Sequence, residues 1–300
     1  MRLTIVGCSG SMSGPDSTAS SYLVQADDAA GRTWSVLLDL GPGSFGALMN
    51  HMDPRALDAL FFSHLHPDHM ADVTSLQVFL RYHPEGEVGP LRTVGPVDTA
   101  ERIGAVCWLT PEEVSRQFAV ERYTPRQALT VGPLRITPIP MNHPVPAFGL
   151  RIEGPGADGG TVTLAYTGDT DACPEAADLA DGVDLLLSEA SFQEGREDVR
   201  GIHLTGLRAG ELAAGRGDVT DAPASRGTVT EAPESGDPGG ASGGAAPARD
   251  ADGARERTAA GRLVLTHLPP WTDPAVILAE ARSAYAGPVE VARAGAVVDL

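Results

Sequence analysis

Between His64 and His69 the chain reads His-Leu-His-Pro-Asp-His, four potential metal ligands within six residues. The whole protein has eight histidines, so three of them in one such window point to coordination rather than to solvated loop positions. Imidazole combined with carboxylate suits zinc or manganese. Four ligands do not complete two metal sites, and the reading therefore asks for more of them downstream. His143, Asp169 and His267 supply them, each at the end of its own strand-like run: Leu134 to Pro140, Thr161 to Gly168 and Leu263 to Thr266. Alone, each is an ordinary loop residue, and Gly168-Asp169-Thr170 would pass for a turn. In this order after His-x-His-x-Asp-His they form one constellation, a strong signal for a metal site.

The elements that must position these side chains can be read from apolar patterning. Leu57 to Phe62 is a continuous apolar run that delivers the chain into the His64 loop, as a buried strand would. Before it, Leu3 to Gly7, Ser20 to Gln25 and Trp34 to Leu40 read as strands, and Ser44 to about His51 as a short helix. Asp68 to Tyr82 reads as one helix with Val73, Leu76, Phe79 and Leu80 on one face. Strands follow at Leu91 to Val94, Phe118 to Val120, Ala128 to Val131 and Leu134 to Ile139, with a helix over Val97 to Cys107. A hairpin of Phe148 to Glu153 and Thr161 to Tyr166 fills the interval between His143 and Asp169, and Leu204 to Ala214 reads as a helix. Two β-rich halves with outer helices imply stacked sheets covered on both sides.

The ordered motif set resembles the metallo-β-lactamase-fold hydrolase superfamily, from Leu3 to about Pro270. The resemblance implies an α/β four-layer αββα sandwich, with 1–300 as a single metallo-hydrolase domain. Leu37-Leu-Asp-Leu-Gly41 is similar to the superfamily's early motif, whose Asp, here Asp39, braces the metal loops. By the same resemblance His64, His66 and His143 hold one metal, Asp68, His69 and His267 the second, and Asp169 bridges them. The implied cofactors are two divalent ions, zinc first and manganese second. Asp rather than Cys at the second site argues against an antibiotic-hydrolysing enzyme, and His66 in place of Glu argues against the di-iron oxygen-reducing relatives.

Two further stretches narrow the branch. Leu185-Leu-Leu-Ser-Glu-Ala-Ser-Phe192 resembles the ribonuclease Z pattern in which a strand ends in His-Glu-Ala-Thr, with Ser188 in place of that His. His203-Leu-Thr205 resembles the same family's His-Ser-Thr. In that family the Glu and the His form a proton-donating pair, and the matching residues are Glu189 and His203. The alternative for His203 is a loop histidine capping the following helix. Asp68, Glu189 and His203 are thus the candidate catalytic residues. The chain also resembles atypical bacterial cyclic-nucleotide phosphodiesterases built on the ribonuclease Z core.

Composition selects among the substrates this branch uses. The formal charge is −18, and all 22 basic residues are Arg. Such a field repels polyanions, the interval from Pro144 to Gly168 has no room for a tRNA-binding arm, and Leu268-Pro-Pro-Trp271 lacks the Arg that ribonuclease Z relatives carry after the last His. The expected substrate is therefore a small anionic phosphodiester, with a 3′,5′-cyclic nucleotide such as cyclic AMP foremost, and nucleic acid is not the expected partner. The alternatives are a tRNA 3′ endonuclease, a thioesterase-like hydrolase of the same fold, and an idle metal-binding module. A homodimer is compatible with all of them. Cys8, Cys107 and Cys173 are odd in number and dispersed, which implies no disulfide framework and suits the cytoplasm. No stretch approaches the ~20 apolar residues of a membrane span. From about 216 to 260 the sequence turns rich in Gly, Ala, Pro, Asp and Ser and contains a decapeptide duplication at Arg216 and Arg226, which reads as a disordered insertion.

Overall fold

The apolar runs fold as two seven-stranded sheets in a computed structural model that describes residues 1–195, 200–216 and 257–300. The first sheet contains β1 (Arg2–Gly7), β2 (Ser21–Asp27), β3 (Thr33–Leu38), β4 (Ala59–Phe61), β5 (Leu91–Gly95) and β6 (Phe118–Arg122) in sequence order. The second contains β7 (Leu129–Val131), β8 (Leu134–Pro140), β9 (Phe148–Pro155), β10 (Thr161–Tyr166), β11 (Leu185–Glu189), β12 (Leu263–Thr266) and β13 (Val289–Val291), with β13 and β7 at its edges. The last strand, β14 (Val297–Asp299), returns to pair antiparallel with β1 in the first sheet.

Period-two alternation sorts the side chains of each strand between two cores. Ala59 and Phe61 of β4 face the other sheet, whereas Leu60 and Phe62 face the helices outside. That is why Leu57 to Phe62 reads as an unbroken apolar run: the strand is buried on both faces. Helices α1 (Ser44–Leu48), α2 (Pro67–Met70), α3 (Val73–Tyr82), α4 (Thr99–Cys107) and α5 (Pro111–Gln117) cover the first sheet. Helices α6 (Pro174–Ala180), α7 (Gly206–Ala213) and α8 (Pro274–Ala284) cover the second. The result is the four-layer αββα sandwich.

Several boundaries differ from the sequence reading. The single helix expected over 68–82 is two. The Leu40 amide takes the His69 carbonyl at 2.7 Å and the Asp72 amide donates to the Leu40 carbonyl at 3.1 Å, so bonds that would continue the helix go to the end of β3 instead. Asp72 also accepts from the Phe45 amide at 2.7 Å. Helices α5, α6 and α8 and strands β13 and β14 were not anticipated. The proposed insertion lies, from 217 to 256, outside the described residues. Its expected C-terminal end is placed on the body, however: the Ala260 amide donates to Ala213 at 2.8 Å and the Thr258 amide to Asp181 at 2.8 Å.

What this architecture contributes to function is a rim. β3 and β4 run parallel, as do β10, β11 and β12. Their C-terminal ends therefore deliver Asp39, the His64 loop, Asp169, Glu189 and His267 to one edge of the sandwich.

Candidate metal centre

The His64 loop leaves β4 and is held from beneath by Asp39, a fully buried carboxylate. Asp39 Oδ1 accepts the Ser63 amide at 2.7 Å, and Oδ2 accepts the Ser63 hydroxyl at 2.7 Å, His69 Nδ1–H at 2.8 Å and the Tyr166 hydroxyl at 2.7 Å. Four donors offset the desolvation of a buried charge. Asp39 and His267 both occupy the left-handed backbone region, at φ 58° and 57°, a conformation that non-glycine residues keep only where surrounding contacts impose it. Gly168 is there too, at φ 58°, and a Cβ on it would come within 2.8 Å of Ser63 Cβ. Glycine before Asp169 lets the β10 end pass against the metal loop.

Three groups of side chains meet at the rim. In the first, His66 Nδ1 lies 3.0 Å from His64 Nε2 and 3.1 Å from His143 Nε2. In the second, Asp169 Oδ1 lies 3.1 Å from His69 Nε2 and Oδ2 lies 3.3 Å from His267 Nε2, while Asp68 Oδ2 is 3.7 Å from both imidazoles. Asp169 Oδ2 also reaches within 3.7 Å of His64 Nε2, so this carboxylate adjoins both groups. The third is Glu189 with His203: Nδ1 of His203 is 3.0 Å from Glu189 Oε1 and 3.8 Å from Asp169 Oδ2. All ten side chains singled out at the rim by the sequence, Asp39 included, are brought together.

The imidazoles are oriented from behind. His64 Nδ1 pairs with the Ser63 hydroxyl at 3.1 Å, His143 Nδ1–H donates to the Ile202 carbonyl at 2.9 Å, and His267 Nδ1 pairs with the Ser20 hydroxyl at 2.8 Å. Each bond turns the other ring nitrogen inward, the arrangement a coordinating histidine requires. Three inward atoms, His69 Nε2, His267 Nε2 and Asp169 Oδ1, are buried without a hydrogen-bond partner. An orphaned buried polar atom costs about 1–3 kcal/mol; a cation among them would satisfy all three, so the donor set fits a metal. Nitrogen-rich donors with carboxylates suit zinc.

Charge is distributed accordingly. Burial holds the His64 imidazole well below its ordinary range and lowers those of His143 and His267 to about 4, which leaves neutral rings with free lone pairs. Burial also opposes charge on His69, but Asp169 and Asp39 outweigh it and hold that ring well above its usual value, so that a proton stands between Nε2 and Asp169 where a cation would otherwise take its place. Burial would push Asp169 up, yet the surrounding His267, His69 and His64 keep its carboxyl well below the ordinary range. For His203, burial is likewise overcome, by Glu189 and then Asp169, and the imidazolium is held up at about 9. Glu189 is raised by its burial, with His203 opposing. It also accepts the Thr170 amide at 2.7 Å and the Ser191 hydroxyl at 3.0 Å.

His203 is not the helix cap: the Thr205 hydroxyl accepts the Arg208 amide at 3.2 Å and caps α7. Ser188 turns its hydroxyl to its neighbour's carbonyl at 2.9 Å and leaves the Glu189 pair undisturbed. Ser20, Ser63 and Tyr166 escaped the sequence reading. Ser63 alone had a signal, its place beside His64; the others are brought in by tertiary packing.

Comparison with known proteins identifies the family and the fold. A model of the beta-lactamase superfamily domain matches residues 35–220. An uncharacterized protein of Mycobacterium tuberculosis (strain ATCC 25618 / H37Rv), Rv1339, is 36% identical over 307 residues, covering 98% of this chain and 94% of its own. The probable metallo-hydrolase YhfI of Bacillus subtilis (strain 168) is 27% identical over 300 residues and 99% of each chain. Its crystal structure aligns with a TM-score of 0.73 and 25% identity over 100% of this chain and 99% of that one. Ribonuclease BN of Cronobacter sakazakii (strain ATCC BAA-894) is 27% identical over 266 residues, 72% of this chain and 86% of its own.

Proposed function

The chain belongs to the beta-lactamase superfamily, and we propose that within it this protein is a binuclear-metal phosphodiesterase that hydrolyses a small phosphodiester, 3′,5′-cyclic AMP foremost. The observation that carries this reading is the position of His203: its Nδ1 is tied to Glu189 at 3.0 Å and lies 3.8 Å from the Asp169 carboxylate that adjoins both donor groups, which leaves Nε2 of the same ring to carry the proton. A group poised to give up a proton beside a metal-binding carboxylate is what departure of an alkoxide from phosphorus needs. Ribonuclease BN among the relatives is consistent with chemistry at a phosphodiester.

His64, His66 and His143 would hold one cation and Asp68, His69 and His267 the other, with Asp169 within reach of both sets. Divalent ions held there would lower the pKa of a water towards neutrality and draw charge from the phosphoryl oxygens. The remaining work falls to the chain. Asp39 fixes the His69 ring so that Nε2 faces inward. Asp68, with its side chain 15% exposed, can take up a proton from the attacking water. Glu189 orients His203, which delivers a proton to the leaving oxygen.

Substrate size follows from shape and charge. Between His143 and Asp169 the chain makes only β9 and β10, both within the sheet, so no arm projects to grip a tRNA. The net charge of −18 disfavours a polyanion. The test is kcat/KM for cyclic AMP against pre-tRNA at physiological salt. Cyclic AMP is expected to be the far better substrate; a preference for pre-tRNA would establish the endonuclease alternative in its place. Among the described residues no helix is long and apolar enough to cross a membrane.

A further inference from the structure

Two residues past Asp169, Asp171 is a fully buried carboxylate with no part in the donor groups. Its oxygens accept four N–H donors: the Ala172 amide at 2.7 Å, the Gly201 amide at 2.6 Å, Arg200 Nε at 2.8 Å and Arg208 Nη1 at 3.5 Å. Its backbone amide donates to the Asn142 carbonyl at 2.9 Å. Asp171 thus stands between the segment that carries His143 and the segment that carries His203. The next two residues of the latter are pinned as well. The Ile202 carbonyl accepts His143 Nδ1–H, and His203 meets Glu189. Arg208 extends the anchorage to Glu194, 3.0 Å from its Nη2, and Glu194 in turn accepts the Thr205 hydroxyl at 2.6 Å.

We propose that Asp171 is the positioning residue for the proton-donating segment, clamping Arg200 and Gly201 so that Ile202 is set on His143 and His203 on Glu189. The inference rests on the reading of His203 as the leaving-group acid. A buried charge that engages two guanidinium groups and two amides fixes its neighbours tightly, because any displacement leaves it unpaired in a dry environment. The same short segment, 169 to 171, thereby supplies the shared carboxylate, an amide to Glu189 through Thr170, and the clamp on the acid's loop. Spacing between the acid and the metal-binding carboxylate is then set within three consecutive residues.

Asp171→Asn in the full-length, zinc-loaded protein is the test, because it keeps the shape and removes the charge. With zinc in saturating excess, so that any loosening of His143 through Ile202 is compensated, metal content should match the wild type, kcat on cyclic AMP should fall on the order of 10- to 100-fold, as losses behind a functional group typically do, and KM should change little. On bis(p-nitrophenyl) phosphate, whose leaving group needs no proton, the loss should be much smaller. In a His203→Ala background the substitution should cost nothing further, since coupled residues are non-additive. The ring N–H signal of His203 in the NMR spectrum, which the contact with Glu189 should protect in the wild type, should broaden or vanish. An unchanged ring signal with unchanged kcat, or full additivity with His203→Ala, would overturn the proposal. Arg200→Met, which removes one arm of the clamp, decides the matter if Asp171→Asn does not fold. If the wild type turns over no phosphodiester, the functional reading fails, but the ring signal still decides whether Asp171 positions His203.

Discussion

At the scale of single residues, the separate roles assigned around the rim lead to different losses. Asp169 adjoins both donor groups, so Asp169→Ala should lose bound metal and turnover together, as elemental analysis and rate measurement would reveal. His203 touches no orphaned nitrogen. His203→Ala should therefore keep its metal while turnover drops on the order of 10²- to 10⁴-fold, with partial recovery on a p-nitrophenyl diester; loss of metal would make it a ligand instead. Asp39→Asn is a third case. Its new amide must face a donor, either the Ser63 amide or the group of three around Oδ2, and metal affinity should fall about 10- to 100-fold in a competition assay with a chelator. The side chains that gather at the rim were legible because the His-x-His-x-Asp-His window is dense and its partners follow strands in a recognisable order. Ser20, Tyr166 and Asp171 were not, because hydroxyls and a second aspartate carry no spacing that distinguishes them from surface residues until the fold buries them.

Secondary-structure elements were legible where one pattern governed them. β4 appeared as a strand because both of its faces are buried, and the hairpin β9–β10 because alternation and turn residues agree. Helix α5 carries a local signal: Thr110-Pro-Glu-Glu113 is a capping box with Pro at the first turn. Helix α6 is capped by Cys173, whose Sγ accepts the Ala176 amide at 3.4 Å, and cysteine is not a residue that announces a helix start. The break before α3 is set by Leu40, some thirty residues away in sequence, and no local pattern encodes it. These differences give a contrast that calorimetry and metal analysis can read. Phe61→Ala, at a fully buried position of β4, should cost about 3–5 kcal/mol and loosen the loop it feeds, lowering metal retention as well. Thr110→Ala should cost about 1 kcal/mol and leave turnover unchanged, since α5 lies in the outer layer. Equal effects on metal retention would mean that the rim is not organised by its strands.

For the whole molecule, the two-sheet frame followed from the alternation of β-rich halves and outer helices, and the acidic, lysine-free surface bears on substrate choice rather than on fold. The flanks of residues 217–256 are already in contact, with the Ala260 amide on the Ala213 carbonyl and a Gly215 Cβ position only 2.9 Å from the Arg257 carbonyl. Deleting 217–251 shortens the connection about eightfold, and at about 0.6 kcal/mol per doubling stability should hold or rise by at most about 2 kcal/mol, with turnover unchanged. If the rim is a two-metal phosphodiesterase site, zinc must restore turnover in a fixed ratio to the chain. Metal-stripped protein is given zinc in increments while AMP release from 3′,5′-cyclic AMP is followed. Activity should be absent at the start, rise with added metal and reach its plateau at two equivalents per chain. A plateau at one equivalent, or no AMP at any zinc concentration, would contradict the account.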